Sequence, residues 1–320
     1  MNASLNDVSI WMTRYVMSSY FALGVLGNLI NVFMFTRKNR LYNSCSLYLL
    51  AISISHIFSA NLGVVPIIYN LDHADLATYS FIFCKLRLYI LHSSIMIGRI
   101  LMIVACIDRY ALCSNYQRFR SLNNPKVALR IIIGIVIAWP CINIYIPFVM
   151  TFTGNNCLML GSTAFIWAIY TVVLPGIITP VSMSIFSLLA IRNRRRLQVR
   201  LNSKKNYGNK REYTLMVMLL SEVLVYVIST SLFPATTLYK AVTANIVKSV
   251  QRQQIENFII FFGNSFLLFI NPSATFYIFI IASHSYRQEC KRVFLGLYMR
   301  VTGRMNKVAT IATTNTLINR

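Results

Sequence analysis

Acidic side chains are scarce in this chain of 320 residues, which has eight Asp and Glu against 31 Lys and Arg. Charged residues make up 12% of the sequence and hydrophobic residues 56%, whereas soluble domains usually carry about 25% charged residues. This shortage of charge argues against a soluble protein. The net charge of +23 would by itself fit nucleic-acid binding. However, long apolar runs separate the basic clusters, so the sequence indicates a membrane protein that binds no nucleic acid.

Seven apolar runs are long enough to cross a bilayer as helices, which takes about 20 residues each. Their internal prolines are compatible with membrane helices, and the alternating pattern of a membrane barrel is missing. The predicted fold class is therefore an all-α membrane protein, a seven-transmembrane helix bundle. The predicted spans are Tyr15–Thr36, Leu47–Leu71, Leu88–Ile107, Ile131–Met150, Ser162–Ile191, Tyr213–Tyr239 and Phe258–Ala282.

The distribution of bases predicts the orientation of the bundle. The segments after spans 1, 3, 5 and 7 carry 24 Lys and Arg, the opposite side carries six, and Arg99 lies inside span 3. Because cytoplasmic loops are rich in bases, we expect an extracellular N-terminus and a cytoplasmic C-terminus in the plasma membrane. Span 1 is expected to act as the targeting signal without cleavage, and the basic side is expected to attract anionic lipid.

The segments outside the bundle have their own signals. We expect an extracellular N-terminus at 1–14, the seven-helix bundle at 15–282, an amphipathic helix at 283–298 and a cytoplasmic tail at 299–320. Asn2 begins a glycosylation sequon on the predicted outer side. Cys290 could carry palmitate or remain a free thiol. One helical stripe on the predicted interfacial helix holds Tyr286, Cys290, Val293, Phe294 and Leu297.

Two of the seven cysteines fall on the predicted extracellular side. Cys84 opens span 3, and Cys157 lies in the loop between spans 4 and 5. Disulfides persist on that side of the membrane, so we predict a bridge that holds the loop over the mouth of the bundle. The alternative is a pair of unrelated free thiols.

Polar residues inside the spans are costly and often functional, although some only hydrogen-bond one helix to the next. The candidates are Asn28, His56, Arg99 and Glu222, with Asn264 and Asn271 in span 7. Arg99 lies about 15 Å along the helix from Arg109, while Glu222 lies about two turns from the predicted cytoplasmic end of span 6. A direct Arg99–Glu222 pair would therefore need favourable helix tilts.

The sequence Asp108-Arg109-Tyr110 ends span 3. Arg109 is 25 residues after Cys84, an interval of about 37 Å of helix that reaches from one membrane face to the other. Asp108 can accept hydrogen bonds from Arg109, and a rearrangement that broke this contact would free Arg109 for a partner protein. The alternative is an ordinary interfacial ion pair.

At this point the chain resembles rhodopsin-like G-protein-coupled receptors over most of its length. The matching residues follow the order of that family: Asn28 after Gly27, the segment LLAISISH ending at His56, the spacing of Cys84 from Asp108-Arg109-Tyr110, Trp139 with Pro147, Pro180, Pro234, and Asn271-Pro272. The short tail, the compact second extracellular loop and the end of span 7 are similar to those of neuropeptide receptors of the FMRFamide-receptor kind. The resemblance implies a receptor that activates a heterotrimeric G protein through a cytoplasmic cleft around Arg109.

Several residues differ from the family pattern at positions that the family uses to change between its inactive and active states, which we call the switch. His56 replaces an Asp that belongs to a sodium site, so sodium modulation is not expected. Span 6 reads Ser231-Leu232-Phe233-Pro234 without the usual tryptophan, and Tyr277 follows the Asn-Pro pair two residues late. Thr214 stands where the family often has Glu, with Glu212 two residues earlier. The predicted switch residues are Asp108, Arg109, Tyr110, Asn271, Pro272 and Tyr277.

The resemblance places the ligand between spans 3, 5, 6 and 7, and the candidate pocket residues are Leu91, His92, Ile95 and Phe233. Span 3 offers no Asp there to pair with an amine, so we expect a peptide or another non-amine ligand.

Two other interpretations stay open. One is a transporter with His56, Arg99 and Glu222 as a polar relay, although no internal repeat supports it. The other is a receptor-shaped protein that does not signal. Neither a nucleophile–base arrangement nor metal-ligand spacing points to an enzyme, and we expect no cofactor and no metal site.

Overall fold

The computed structural model of the chain describes residues 4–114, 117–121, 123–153, 156–159, 161–201 and 206–301. The glycosylation sequon at Asn2 and the predicted tail beyond Val301 lie outside the described residues. So do four residues of the basic segment between spans 5 and 6, at 202–205.

Seven helical spans form the bundle, as predicted, and the seventh is bent. Six are single helices: α1 Leu5–Phe35, α2 Ser44–Tyr69, α3 Phe81–Leu112, α4 Pro125–Val149, α5 Gly161–Arg196 and α6 Glu212–Val242. The seventh joins α7, Val250–Leu267, to α8, Ile270–Ala282, at an angle of 45°. Several helices begin earlier than the apolar runs, because helical hydrogen bonding continues into polar flanking residues.

Side-chain caps explain where several helices begin. The Ser80 hydroxyl accepts a hydrogen bond from the backbone amide of Phe83 at the start of α3. The Asn43 and Asn124 side chains cap α2 and α4 in the same way. Each cap satisfies an amide that has no partner within its own helix.

Three spans contain π-helical turns, which widen the helix and change the direction of later side chains. In α5 the π-helical turn runs over Val172–Ile178 and includes Pro175. The turn ends two residues before Pro180, the proline of span 5 that the family resemblance selected, and it contains Gly176, whose carbonyl Pro180 leaves without its helical donor. In α7 a π-helical turn at Phe262–Leu267 precedes the bend.

Glycines allow α1 to lie very close to α8. A Cβ atom on Gly24 would lie 2.5 Å from Ser273, and one on Gly27 would lie 2.7 Å from the Cβ of Phe276. Small residues at helix interfaces are typical of membrane bundles, because van der Waals packing holds the helices together there.

A disulfide closes one end of the bundle. Strands β1, Thr151–Thr153, and β2, Asn156–Leu158, form an antiparallel hairpin in which Phe152 lies opposite Cys157. Cys157 is bonded to Cys84 at the start of α3, with the Cα atoms 5.6 Å apart, so the predicted bridge is present. We call this end of the bundle the disulfide end and the opposite end, where α3 stops, the Arg109 end.

A further helix, α9 at His284–Val301, follows α8 directly. Tyr286, Cys290 and Val293 are buried against the bundle, and the Tyr286 hydroxyl donates to Asn31 Oδ1 at 2.7 Å. Phe294 is 45% exposed, so it lies outside the buried stripe that the sequence predicted. Burial raises the pKa of the Cys290 thiol to about 11, which keeps it protonated at neutral pH.

Candidate functional site

The Arg109 end holds a partly buried cluster of charged and amide side chains. We call it the Arg109 cluster: Asp108, Arg109, Glu212, Asn43 and Asn123. Arg109 is 2% exposed. Its Nη2 donates to Asp108 Oδ2 at 2.5 Å and its Nε to the same oxygen at 3.1 Å.

Glu212 supplies the second acid, from α6. The Nη1 of Arg109 donates to Glu212 Oε2, so one guanidinium joins α3 to α6. The sequence left open which residue of span 6 could face Arg109, since Thr214 occupies the usual position. The structure assigns the contact to Glu212, whose side chain is long enough to reach from a position two residues earlier.

Two amides complete the cluster. The Asn43 Nδ2 donates to Glu212 Oε1 at 2.8 Å, and the Asn123 Nδ2 donates to both oxygens of Asp108 at 3.0 Å. Asp108 and Glu212 therefore each accept hydrogen bonds from Arg109 and from one amide side chain. The sequence gives no signal for these two amides, because each lies just before a helix and belongs to no motif.

Tyr110 points away from this cluster. Its ring centroid lies 6.1 Å from that of Phe186 on α5 and 6.4 Å from that of Phe119. Of the three residues in the Asp108-Arg109-Tyr110 motif, only the first two therefore meet in the Arg109 cluster.

A second group lies deeper in the bundle, and we call it the central polar cluster: His56, Thr275 and Glu222. The His56 Nδ1 lies 2.9 Å from Thr275 Oγ1 and 3.7 Å from Glu222 Oε1. The Thr275 hydroxyl lies 3.2 Å from Glu222 Oε1. The cluster joins α2, α8 and α6, and the hydroxyl of Thr275 occupies the centre of the contact.

The Asn271-Pro272 segment contacts α1 and not the Arg109 cluster. The Asn28 Nδ2 donates to Pro272 O at 2.7 Å and to Gly24 O at 2.9 Å. The Tyr277 hydroxyl donates to Leu23 O at 3.1 Å. Tyr277 therefore lies at the interface with α1 and does not contact Arg109. It follows Thr275, the usual position of this tyrosine in the family, by two residues. Two residues rotate a helical side chain by about 200°, so Tyr277 points to another side of α8.

Arg99 does not pair with Glu222. Its Nη1 lies 3.8 Å from Met96 Sδ, and its guanidinium carbon lies 5.4 Å from the centroid of the Tyr226 ring. The Tyr226 hydroxyl donates to Pro175 O at 3.1 Å. Glu222 instead accepts a hydrogen bond from Thr275 on α8. The helix tilts that a direct Arg99–Glu222 pair would need are therefore not present.

The four predicted pocket residues do not share one site. Leu91, Ile95 and Phe233 pack in an apolar cluster with Val64 and Phe269. His92 instead faces α5, where its Nε2 lies 2.9 Å from the Tyr170 hydroxyl. Its ring meets Trp167 edge to face, with 4.7 Å between centroids.

A cavity at the disulfide end lies between α6 and α7 and has a volume of about 660 Å³. We call it the α6–α7 cavity. It is lined by Ala235, Thr236, Tyr239, Ser249, Gln251, Arg252, Ile255, Glu256, Ile259 and Ile260. A neighbouring cavity of about 400 Å³ shares Glu256 and Ile260 with it and adds Lys240 and Lys248.

Glu256 accepts hydrogen bonds from three side chains beside these cavities. Its Oε1 accepts from the Tyr239 hydroxyl at 2.6 Å and from Arg252 Nε at 2.7 Å. Its Oε2 accepts from Lys248 Nζ at 2.5 Å. Sequence analysis did not consider these side chains, because they lie at the ends of spans 6 and 7 and in the loop between them.

A helical bundle of seven spans, with an Asp-Arg pair at the end of the third and a disulfide at its start, defines a seven-transmembrane G-protein-coupled receptor. The chain matches the family described as the serpentine type 7TM GPCR chemoreceptor Srsx over residues 21–294. It therefore belongs to that family of receptors.

Three relatives agree with this assignment. The chain is 25% identical over 305 residues to a Caenorhabditis elegans protein named as a probable G-protein coupled receptor, covering 85% of this chain and 67% of the relative. It is 27% identical to succinate receptor 1 of Mus musculus over 48% of this chain and 50% of that receptor. The Rattus norvegicus succinate receptor 1 is 26% identical, over 48% of each chain. The chain thus spans about half the length of the succinate receptors it matches.

Proposed function

We propose that this protein is a plasma-membrane chemoreceptor with an extracellular N-terminus and a cytoplasmic C-terminus. In this proposal it binds an extracellular peptide at the disulfide end and activates a heterotrimeric G protein at the Arg109 end. The observation that carries the proposal is the position of Arg109. Its guanidinium is buried between one acid of its own helix and one acid of α6.

This arrangement can act as a two-state latch. A shift of α6 away from α3 separates Glu212 from Arg109, while Asp108 moves with Arg109 on the same helix. Separating Glu212 from Arg109 removes an ion pair between α6 and α3, although Arg109 stays paired with Asp108. The latch therefore favours the closed packing, and a ligand that prefers the shifted position of α6 can reverse that preference.

The helix α6 connects the two ends of the proposed mechanism. Tyr239 and Thr236 line the α6–α7 cavity, Glu222 belongs to the central polar cluster, and Glu212 holds Arg109. A ligand that repositions α6 against α7 therefore acts on the helix that closes the latch. Two-state elements of this kind give a physical basis for coupling between distant sites.

The cavity chemistry supports a ligand with an acidic group. Lys240, Lys248 and Arg252 lie around the two cavities with Glu256 as their acid, so bases exceed acids there. A volume of about 660 Å³ lies within the usual range for ligand sites. A peptide with an acidic side chain or a free carboxylate fits this surface better than a cationic amine does.

A small carboxylic acid is the second candidate ligand. The excess of bases around the cavities favours it, and two relatives that match half of this chain are named succinate receptors. Both candidates use the same basic residues, so Arg252→Gln should weaken the response to either of them.

The test is a screen for guanine-nucleotide exchange with a peptide library and a set of small carboxylic acids that includes succinate. Arg109→Ala should abolish a response that the wild type gives, while Lys126→Ala, which removes an exposed base at the same end, should leave it intact. An unchanged response of Arg109→Ala would refute the latch. Binding without exchange in the wild type would favour a non-signalling protein, and solute uptake lost on His56→Ala would favour a transporter.

A further inference from the structure

Arg99 is a buried base without an acidic partner. Its side chain belongs to a residue that is 6% exposed, in the middle of α3. Among the residues that the structure describes, no carboxylate oxygen lies within 4.0 Å of it, and its one hydrogen-bond contact is to the sulfur of Met96. A thioether and the face of the Tyr226 ring are weak partners for a guanidinium. A buried charge normally has a stronger counterpart.

Arg99 lines a small cavity inside the bundle with a volume of about 20 Å³. This volume holds one water-sized or monoatomic species and nothing larger. The polar residues around it come from α2, α3, α6 and α8. They are His56, Ser59, Arg99, Tyr226, Thr230 and Asn271.

The hydrogen-bonding groups at this cavity include unused donors. A guanidinium has five N–H donors, and in Arg99 one nitrogen contacts Met96 Sδ. Within the described residues the Asn271 side chain makes no hydrogen bond, and its Oδ1 is buried without a partner. Its Nδ2 carries two N–H donors that an anion can accept from, whereas its Oδ1 is an acceptor and binds only a donor such as water. Ser59 and Thr230, by contrast, donate to carbonyls of their own helices.

The charge of the cavity wall is positive. Neither Asp nor Glu is among the residues that line it. Glu222 lies beyond His56, 3.7 Å from the His56 Nδ1, and its Oε1 accepts from Thr275. Of the residues that line the cavity, Arg99 is the one with a permanent charge, and this charge disfavours a cation there.

We propose that the Arg99 cavity binds a single small inorganic anion of the size of chloride. The anion would accept hydrogen bonds from Arg99 and Asn271 and would neutralise the buried guanidinium. It would thereby link α3 to α8 beside the bend between α7 and α8. The small volume excludes gluconate, sulfate and phosphate.

The test measures thermal unfolding of the purified full-length protein in lipid nanodiscs at constant ionic strength, with sodium gluconate replaced stepwise by sodium chloride. The Tm of the wild type should rise with chloride and saturate, and bromide should act in the same way. In Arg99→Met the concentration for half of this effect should rise at least tenfold. Arg130→Gln removes an exposed guanidinium outside both the Arg99 cavity and the α6–α7 cavity and should keep the wild-type dependence.

A second measurement covers the case in which Arg99→Met does not fold. The ³⁵Cl resonance should broaden with the wild-type protein, and bromide should reverse this broadening. Equal Tm values in chloride and gluconate, with no broadening, would show that only water enters the cavity and would overturn the proposal. Arg99→Met with an unchanged chloride dependence would overturn it as well. None of these readouts depends on receptor signalling.

Discussion

Arg109 shows how a single buried side chain can hold two helices in one packing. Its two acidic partners differ in kind, because Asp108 is its neighbour on α3 whereas Glu212 is 103 residues away on α6. Only the contact with Glu212 depends on the position of α6 relative to α3. Removal of Glu212 therefore acts on the packing, while Asp108 continues to compensate the charge of Arg109.

We predict that Glu212→Gln moves α6 without any ligand. The amide keeps the size of the side chain but loses the charge that attracts Arg109, so the shifted packing should become more populated. Spin labels on α6 and α2 at the Arg109 end would measure the distance. Glu289→Gln is the matched control, since it breaks the ion pair with Arg40 at the same end and should leave the distance distribution as in the wild type.

Cys290 should behave as an inert thiol in the folded protein. Burial raises its pKa to about 11, so its thiolate fraction at neutral pH is about 300-fold below that of an ordinary cysteine with a pKa of about 8.5. Maleimide labelling, measured in a Cys113→Ser, Cys141→Ser background, should increase only as the pH approaches 11. A labelling midpoint near pH 9, or a hydroxylamine-sensitive acyl group on Cys290, would contradict this prediction.

At the scale of helices, the apolar runs were sufficient to predict the spans, because every lipid-facing helix needs about 20 apolar residues. The positions of the π-helical turns and of the bend in the seventh span could not be predicted from the apolar runs. Both Pro175 and Pro180 lie in α5, but only Pro175 lies in the π-helical turn. A proline ring disturbs the carbonyl four residues before it, so Pro180 can also distort this turn at Gly176, and an apolar run does not show where the turn will form.

The close contact of α1 with α8 gives a prediction at this scale. Ala in place of Gly normally stabilises a helix interior by about 0.5–1 kcal/mol. For Gly24→Ala we expect a loss of about 1–3 kcal/mol instead, because the added Cβ meets the backbone of Ser273 and overpacks the interface. Gly134→Ala is the control, as nothing lies within 4 Å of its Cβ. Thermal unfolding should separate the two variants, and equal Tm values would contradict the close packing.

At the scale of the whole molecule, the sequence was enough for the bundle and the disulfide, because both follow from where apolar runs, bases and cysteines fall along the chain. It was not enough for the contacts that cross the bundle. Glu212 reaches Arg109 from an unexpected position, Thr275 connects His56 to Glu222, and Tyr277 turns to α1. Such contacts depend on helix rotations of a few tens of degrees, which no local pattern encodes.

The orientation of the molecule in the membrane remains a prediction that can be checked directly. An epitope tag before Met1 should be accessible on intact cells, whereas a tag after Arg320 should be accessible only after permeabilisation. The strong bias of bases towards the Arg109 end is the physical reason. The reverse pattern of accessibility would contradict both the orientation and the proposed site of G-protein contact.

The most direct test of the central claim is ligand-free guanine-nucleotide exchange, catalysed by purified variants in nanodiscs on a panel of heterotrimeric G proteins. The latch predicts that Glu212→Gln exceeds the wild type by severalfold, since α6 is released while Arg109 is retained. Adding Arg109→Ala to Glu212→Gln should return exchange to the background without receptor. If the double variant is as active as Glu212→Gln, Arg109 does not couple this receptor to its G protein.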